Sequence, residues 1–415
     1  MRSVKLTIEG AYWDSQIYSG ELMLFDFDGA FHRIDWHQVV DQIAIDNPSV
    51  QTALRVAFSD SDLFYNPKVR KVLCDPHIEA PIKSQLSQLA DLSISSSQET
   101  WRRNWRTEDT PFGFLPNDTD VYYNQIFAGG DEGLFSIPRN AINPGRLFKK
   151  QPTKHHDARI FQVKASDRFT AIAAAAGDDG LFEFAFKRGE GGGLNQERQL
   201  AKRPCSACDW AFQSVMGWTI QSAFLANFNQ ERDTRTNKAV RSFDRIVEAS
   251  EMFGNSFESP IKSFTWGSRE KIYRISENGV EISNYSPSQL KTAKGKGSIS
   301  SYSFSNAGTG SVRNGDFDMS SPIATGTAPF GTILEFDDRI VVFRSDGEIE
   351  TYLGEVVQWR VFPRSEHYSN QLHIIYEDHM IVISFVHDYF VDQDSKLYGF
   401  SRGPGGTSSE EKEGR

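Results

Sequence analysis

The sequence predicts an all-β protein, a seven-bladed β-propeller with a helical insertion after the third strand of blade one. Turn residues between strand-like apolar runs recur along the whole chain. Their spacing is close to the length of one four-stranded blade. Residues 169–186, FTAIAAAAGDDGLFEFAF, show the unit most clearly, because a Gly-Asp-Asp-Gly turn joins two apolar runs there.

The recurring turns are of the type that connects antiparallel strands. Asp-Gly and Asn-Gly tolerate positive φ, so their presence between apolar runs indicates a hairpin. We interpret six such places as turns between the second and third strands of successive blades. They lie at 27–29, 131–133, 178–180, 278–279, 346–347 and, less regularly, 394–395.

The spacing of these turns gives the number of blades. Gly133 and Gly180 are 47 residues apart, and Gly347 and Ser395 are 48 apart. Gly180 and Gly279 are 99 apart, so a further turn is expected near Asn229. A propeller blade takes roughly 40 to 50 residues, and the count is therefore seven.

Composition is that of a folded protein kept in a reducing compartment. Charged residues make up 24%, and 31 Phe, 13 Tyr and 8 Trp supply the bulk that packed sheets bury. Three cysteines are too few for a disulfide framework, and no apolar run has the roughly 18 residues of a membrane span. We expect a cytoplasmic protein without a membrane partner.

The chain begins with an alternating strand at 4–8 and ends with a polar tail. We expect the first strand to pair with 397–400, because closing the last blade with it removes free sheet edges. Residues 1–400 are then one propeller, with strands of blade one at 12–18, 21–25 and 30–34. The tail at 401–415 is predicted to be disordered.

Between 36 and 94 the apolar spacing changes to three and four residues, which predicts helices. This insertion explains why Gly29 and Gly133 are 104 residues apart, about twice the repeat. We expect one small helical cluster on the rim, and we regard it as a candidate partner site. The side chains expected to point inward are Leu54, Val56, Phe58, Leu73, Leu86 and Leu89.

The later blades are interpreted from their apolar runs. Residues 121–128, VYYNQIFA, are predicted to be a central strand of blade two. Blade six is predicted to contain GTILEF, RIVVFR, EIETYL and EVVQWRVF, which leaves QLHIIYE, HMIVISFV and KLYGF for blade seven.

The repeat resembles the broad seven-bladed propeller class that includes WD40 and kelch repeats. The resemblance extends over 4–400 apart from the insertion, and it concerns architecture. The Gly-His and Trp-Asp pair of WD40 repeats is absent, and Gly129-Gly130 is a solitary kelch-like double glycine. No narrower family follows from these residues.

No catalytic, metal or cofactor site is predicted. Cys205 and Cys208 have the spacing of half a zinc site, but further ligands are not placed near them, so two small packed residues are the favoured interpretation. Four histidines lie close together in the sequence at 367, 373, 379 and 387, and we interpret them as surface or packed residues. The carboxylates at the turns are explained by turn chemistry.

The segment 101–106, WRRNWR, interleaves aromatic and cationic side chains. Such a segment can stack bases or hold an acidic peptide. It can equally be the outer strand of blade one with Trp101 and Trp105 buried, and the two interpretations are compatible.

The sequence therefore favours a non-catalytic scaffold that binds another protein through loops and the insertion on one propeller face. The three long interruptions, at 36, 187 and 286, each follow a third strand and carry cations, whereas the tight turns carry Asp and Glu. We predict one basic face and one acidic face. The predicted binding residues are Trp101, Arg102, Arg103, Trp105, Arg106, Lys187, Arg188, Lys291, Lys294 and Lys296.

Two alternatives remain open at this stage. The protein could be an enzyme, or a carbohydrate- or ligand-binding protein, that uses the central channel if polar groups from several blades converge there. The basic face could also bind an acidic or nucleic-acid partner, although a net charge of −10 does not favour general nucleic-acid binding.

Overall fold

A computed structural model gives the fold. It describes residues 2–58, 67–139, 151–166, 168–187, 193–219, 222–232, 239–253, 263–268, 271–276, 279–290, 299–312, 322–365, 367–390 and 400–402.

Blade one and the insertion follow the N-terminal strand. Strand β1 is Val4–Glu9, and blade one contains β2 (Tyr12–Tyr18), β3 (Glu21–Asp26) and β4 (Ala30–Asp35). The insertion contains α1 (Trp36–Asp46), α2 (Gln51–Phe58), α3 (Pro67–Leu73), α4 (Pro76–Ala90) and β5 (Ile94–Ser96), after which β6 (Trp105–Asp109) completes the blade.

Blades two to four follow in order. Blade two contains β7 (Asp118–Tyr122), β8 (Gln125–Gly130), β9 (Gly133–Pro138) and β10 (Thr153–His156). Blade three contains β11 (Gln162–Ala165), β12 (Ala171–Ala175), β13 (Leu181–Lys187) and β14 (Gly193–Ala201). Blade four contains β15 (Ala207–Ala211), β16 (Ser214–Trp218), β17 (Ala223–Arg232) and β18 (Ala239–Glu248), with α5 (Ala249–Met252) after it.

Blades five to seven complete the chain. Blade five contains β19 (Ser263–Ser268), β20 (Lys271–Ser276), β21 (Gly279–Leu290) and β22 (Ile299–Val312). Blade six contains β23 (Ala324–Ala328), β24 (Gly331–Phe336), β25 (Arg339–Arg344) and β26 (Ile349–Leu353). Blade seven contains β27 (Gln358–Val361), β28 (Gln371–Ile375) and β29 (His379–Ser384), followed by a 3-10 helix (Val386–Phe390) and β30 (Phe400–Arg402).

The seven blades close into a ring. Each inner strand contacts the inner strand of the next blade, in the order β2, β7, β11, β15, β19, β23, β27 and back to β2. The strands of each blade follow one another outward from the channel and pair in antiparallel fashion, except that β5, at the outer edge of the blade-seven sheet, is parallel to β1. The predicted seven-bladed propeller, with helices after the third strand of blade one, is confirmed.

The N-terminal strand closes blade seven, but with a different partner from the one we predicted. Strand β1 pairs with β29, with Val4 opposite Ser384 and Glu9 opposite His379, and its other edge pairs in parallel with β5. The predicted pairing with 397–400 is wrong, because Phe400 pairs instead with Val312 of β22. Residues 397–399 and 403–415 lie outside the described residues.

The strand assignment of blade six was shifted by one hairpin. Its first strand is β23, so Asp346 and Gly347 lie between the third and fourth strands. The turn between the second and third strands, which we had assigned to Asp346 and Gly347, is formed by Asp337 and Asp338. Residues 358–361 of EVVQWRVF are therefore the inner strand of blade seven. An Asp-Gly turn is compatible with any hairpin of a blade. The spacing of the turns therefore does not determine which two strands each turn joins.

Two further turns differ from the prediction. Residues 121–128 form a hairpin instead of one strand, because Tyr123 and Asn124 adopt φ values of 45° and 61° in the turn between β7 and β8. Asn229 lies within β17 opposite Ser242, so the turn expected near it lies between Trp218 and Ala223.

The insertion is part of the propeller's hydrophobic core. Asp35 and Asp75 cap α1 and α4 by accepting hydrogen bonds from Gln38 N and His77 N. Of the side chains expected to point inward, Leu54, Val56, Phe58, Leu86 and Leu89 are buried, and Leu73 is partly buried. They join one cluster with β1, blade one and blade seven.

Blades four and five share one sheet. The hairpins β17–β18 and β21–β22 extend beyond the other blades, and Gln230 and Glu231 of β17 pair with Ser300 and Ile299 of β22. The segment that we expected to interrupt blade five after Ser286 is thus strand up to Leu290.

Candidate functional site: the central channel and an arginine surface

The central channel is a cavity of about 1380 Å³ to which all seven inner strands contribute. Its charged lining residues come from five different blades: Asp120, Lys164, Arg168, Asp209, Glu335, Arg360 and Arg364. Convergent charges at a channel are the feature that favours a ligand-binding interpretation over a shallow scaffold surface. No linear motif contains them, so these residues are not recognisable from the sequence alone.

Arg360 ties three blades together at the channel wall. Its guanidinium donates to both carboxylate oxygens of Asp14, at 2.6 and 2.8 Å, and lies 2.5 Å from Asp118 Oδ1. All three side chains are buried. Burial by itself lowers the pKa of Arg360, but Asp118 and Asp14 outweigh it and raise that pKa. This group is a closed ion-pair network that joins β27 to β2 and β7.

A second arginine reaches across the channel. Arg364, just after β27, makes a bidentate ion pair with Asp120 of blade two and donates to Ala165 O of blade three at 2.5 Å. Asp120 Oδ2 also accepts from Ala165 N at 2.8 Å. The charge of Arg364 is therefore neutralised within the protein.

Lys164 and Asp209 face the same cavity from the neighbouring inner strands β11 and β15. Within the described part of the chain neither side chain has an ion pair. Asp209 Oδ1 accepts only from Trp210 N, at 2.7 Å. Burial raises the pKa of Asp209, and the charge of Lys164 opposes that rise. These two groups keep hydrogen-bonding capacity toward the channel.

The predicted arginine surface lies at the junction between the insertion and blade one. Arg102, Arg103 and Arg106 are exposed, and none of them has a side-chain hydrogen bond or ion pair with the rest of the described chain. Trp101 and Trp105 are buried, at 3% and 6% exposure, with ring centroids 6.2 Å apart. The tryptophans therefore anchor the segment, and the arginines are its accessible part.

Trp105 is held by a hydrogen-bonded group on blade one. Its Nε1 donates to His32 Nδ1 at 3.2 Å, Thr107 Oγ1 lies 3.0 Å from the same nitrogen, and His32 Nε2 lies 3.0 Å from Asp26 Oδ2. A hydroxyl, an imidazole and a carboxylate that are hydrogen-bonded in this succession resemble the Ser-His-Asp triad of hydrolases. Because the indole N–H already occupies the nitrogen that a general base would use, we interpret the group as structural.

The remaining predicted binding residues divide into two groups. Lys187 is exposed at the end of β13, where blade three turns from its third to its fourth strand. Arg188, Lys291, Lys294 and Lys296 lie outside the described residues.

The cysteines and histidines singled out in the sequence are mostly buried. Burial raises the pKa of the Cys205 thiol to about 12 and raises that of Cys208 well above its usual value, which disfavours thiolates at neutral pH. Burial lowers the pKa of both His373 and His387 to about 3. Among the described residues no cluster of three metal-ligating side chains is found.

Comparisons with known proteins show no family for this chain. No family model matches the chain, and no curated protein matches it. Among solved structures, the chain is similar to the WD40 β-propeller domain of Doa1, with 9% identity, a TM-score of 0.44 and coverage of 91% of this chain and 93% of that one.

Two other solved structures are similar at the same level. The AfRom2 CNH domain shares 12% identity, with a TM-score of 0.34 and coverage of 65% of this chain and 94% of that one. The computationally designed Ika8 protein shares 8% identity, with a TM-score of 0.42 and coverage of 92% and 99%. The assignment of seven blades rests on the strand order described above. Over the described ranges, no helix is both long and apolar enough to cross a bilayer.

Proposed function

We propose that this protein is an interaction scaffold that binds an acidic segment of another protein through a basic surface formed by Arg102, Arg103, Arg106 and Lys187. The observation that carries the proposal is the set of three exposed guanidinium groups within five residues, unpaired among the described residues. Elsewhere on this blade a cation lies beside a carboxylate, as Arg33 does beside Glu21.

The neighbouring arginines illustrate that contrast. Arg33 donates to Glu21 at 2.7 Å, and Arg139 of blade two donates to the other oxygen of Glu21 at 2.7 Å. Arg106 lies opposite Arg33 in the β4–β6 register, so its charge adds to an already basic region. The surface is electrostatically complementary to an acidic ligand.

The position of the basic residues supports a common face. Successive strands of a blade run in opposite directions, so connections after every third strand leave the ring on the same side. Arg102 and Arg103 precede β6, and Lys187 ends β13. The described acidic turns at Asp28, Asp131, Glu132, Asp178 and Asp179 are exposed and connect second to third strands, whereas Asp346 belongs with the basic side.

The anchoring of the segment makes the surface rigid. Trp101 and Trp105 are buried on either side of Arg102 and Arg103, and Trp101 N and Asn104 N donate to Ser97 O and Trp101 O at 3.2 and 2.8 Å. A preformed surface binds with a smaller ordering cost than a loop that must fold on its partner. We favour a protein partner because a net charge of −10 repels an extended polyanion.

The experiment compares two charge-matched variants against a peptide array graded in Asp and Glu content. We expect Arg102→Gln, Arg103→Gln, Arg106→Gln to weaken binding of acidic peptides at least about tenfold and to flatten its salt dependence. The control variant, Arg159→Gln, Lys202→Gln, Arg203→Gln, removes equal charge from connections between blades on the other face. It should bind as the unmodified protein does.

Three results would contradict the proposal. Equal weakening in both variants would show a non-specific charge effect. Unchanged binding in the first variant would exclude this surface. Preferential binding of a single-stranded oligonucleotide of matched charge, lost in the first variant, would assign the surface to nucleic acid instead of protein.

A further inference from the structure

We propose that the central channel is a binding site for a neutral oligosaccharide, a function separate from that of the arginine surface. Its volume of about 1380 Å³ exceeds the roughly 300 to 1,000 Å³ of a pocket for a drug-sized molecule. The channel therefore has room for several sugar rings.

The two buried arginines of the wall do not attract a strongly charged ligand. Arg360 is neutralised by Asp14 and Asp118, and Arg364 is neutralised by Asp120. A multiply charged ligand would meet ion pairs that are already satisfied and would lose its hydration without compensation.

The polar groups left over suit hydroxyl groups. Lys164 has ammonium protons to donate, and Asp209 has a carboxylate oxygen that accepts no described hydrogen bond. Because the two groups are opposite in charge and on neighbouring strands, an anion attracted by Lys164 is repelled by Asp209. A pair of neighbouring hydroxyls can accept from one group and donate to the other.

Blades five and six supply short hydroxylated side chains. The lining there includes Ser263, Thr265, Thr325 and Thr327. Hydroxyl side chains can both donate hydrogen bonds to the hydroxyl groups of a sugar and accept hydrogen bonds from them.

Trp218 and Phe264 form an aromatic surface in the wall of the channel. Trp218 pairs in register with Ala207, and its ring stacks with that of Phe264 at 6.0 Å and 24°. Trp218 Nε1 donates to Thr265 O at 2.8 Å, which fixes the indole. Both rings are partly exposed and contribute to the cavity lining. Fixed aromatic faces beside hydroxyl-binding groups match the mixed apolar and polar faces of a sugar ring.

The test is a glycan array with neutral, sialylated and sulfated oligosaccharides, followed by titration calorimetry on the sugars that bind. We expect the unmodified protein to bind neutral sugars only. Lys164→Met and Asp209→Asn should each weaken binding about tenfold, the loss expected for a hydrogen bond to a charged group. The controls Lys202→Met and Asp131→Asn change the same residue types outside the channel and should not alter affinity.

A second measurement keeps the proposal testable if a channel variant is poorly folded. Bound sugar should shift the Trp218 indole N–H resonance in the unmodified protein. The proposal is overturned if no neutral oligosaccharide binds, if only sulfated or sialylated sugars bind, if folded channel variants bind as tightly as the unmodified protein, or if the Trp218 resonance stays in place. Because the arginine surface is intact in every variant, peptide binding distinguishes failure here from failure of the proposed scaffold function.

Discussion

His373 on β28 shows how burial sets the charge of a single residue. It is fully buried, with Ser15 Oγ 3.0 Å from its Nδ1, and burial lowers its pKa to about 3. In the unfolded chain the pKa is about 6.5. Between these values the unfolded state binds a proton that the folded state does not, so stability present above pH 6.5 is lost progressively as the pH falls toward 3.

His373→Gln is expected to reduce the acid sensitivity of the fold. At pH 5 the contribution of His373 amounts to a loss of about 2 kcal/mol relative to pH 7. Urea unfolding at pH 7 and pH 5 should therefore show a smaller drop in the free energy of unfolding for His373→Gln than for the unmodified protein. The exposed His77→Gln serves as control. Equal drops in all three proteins would show that His373 is not the group responsible.

The buried charges of the channel were the residues least accessible to sequence reasoning. Asp14, Asp118 and Arg360 are far apart in the chain and converge only because the inner strands form a ring. Charged residues within an inner strand were the available signal, as in the DTD of β7 and the QWRV of β27. By contrast, the burial of Trp101 and Trp105 was expected from the sequence, although the strand on which that expectation rested begins only at Trp105 and residues 101–104 form a turn.

At the scale of elements, hairpins were predictable and their position within a blade was not. The turns at Asp28, Asp131 and Asp178 were assigned correctly because strands on both sides have clear alternation or apolar runs. In blade six, Asp346-Gly347 has the same local chemistry but joins the third and fourth strands. The residues of a turn indicate only that the chain reverses direction. Which position a strand takes within its blade depends on contacts with the neighbouring blade.

The insertion also differs in its role from the expected rim cluster. Ser384 Oγ of blade seven donates to Ala57 O of α2 at 2.6 Å, and Trp36 Nε1 donates to Phe58 O at 2.7 Å. Since the insertion shares one core with blades one and seven, we expect its removal to destabilise the ring. Surface substitutions are therefore the appropriate test of partner binding, and deletion of the insertion is not.

Leu6→Ala tests whether β1 holds the ring closed. Leu6 is fully buried between β29 and β5, so we expect a loss of about 2 to 5 kcal/mol in the free energy of unfolding. Lys5, the preceding residue on the same strand, is exposed. Lys5→Ala should therefore lower the free energy of unfolding by well under half as much as Leu6→Ala. Similar chemical denaturation curves for Leu6→Ala and Lys5→Ala would contradict the assignment of β1 as a core strand.

At the scale of the whole molecule, Arg360 connects blade seven to blades one and two. Arg360→Met is expected to lower the free energy of unfolding by about 3 to 5 kcal/mol, because Asp14 and Asp118 would remain buried without their partner. The triple variant Arg360→Met, Asp14→Asn, Asp118→Asn should recover part of that loss in urea unfolding. If the triple variant were less stable than Arg360→Met alone, uncompensated charge would not be the cause.

The pairing of β1 has a consequence for biosynthesis. Glu9 is made 370 residues before its partner His379, a delay of roughly 20 to 75 seconds at 5 to 20 residues per second. During that time blade seven has not been synthesised, so the apolar side of β1 has no blade to pack against. The insertion is made early and supplies β5, which pairs with Leu6, Thr7 and Ile8. In the nascent chain, β5 of the insertion can thus pair with β1 and cover one of its edges until the last blade has been synthesised.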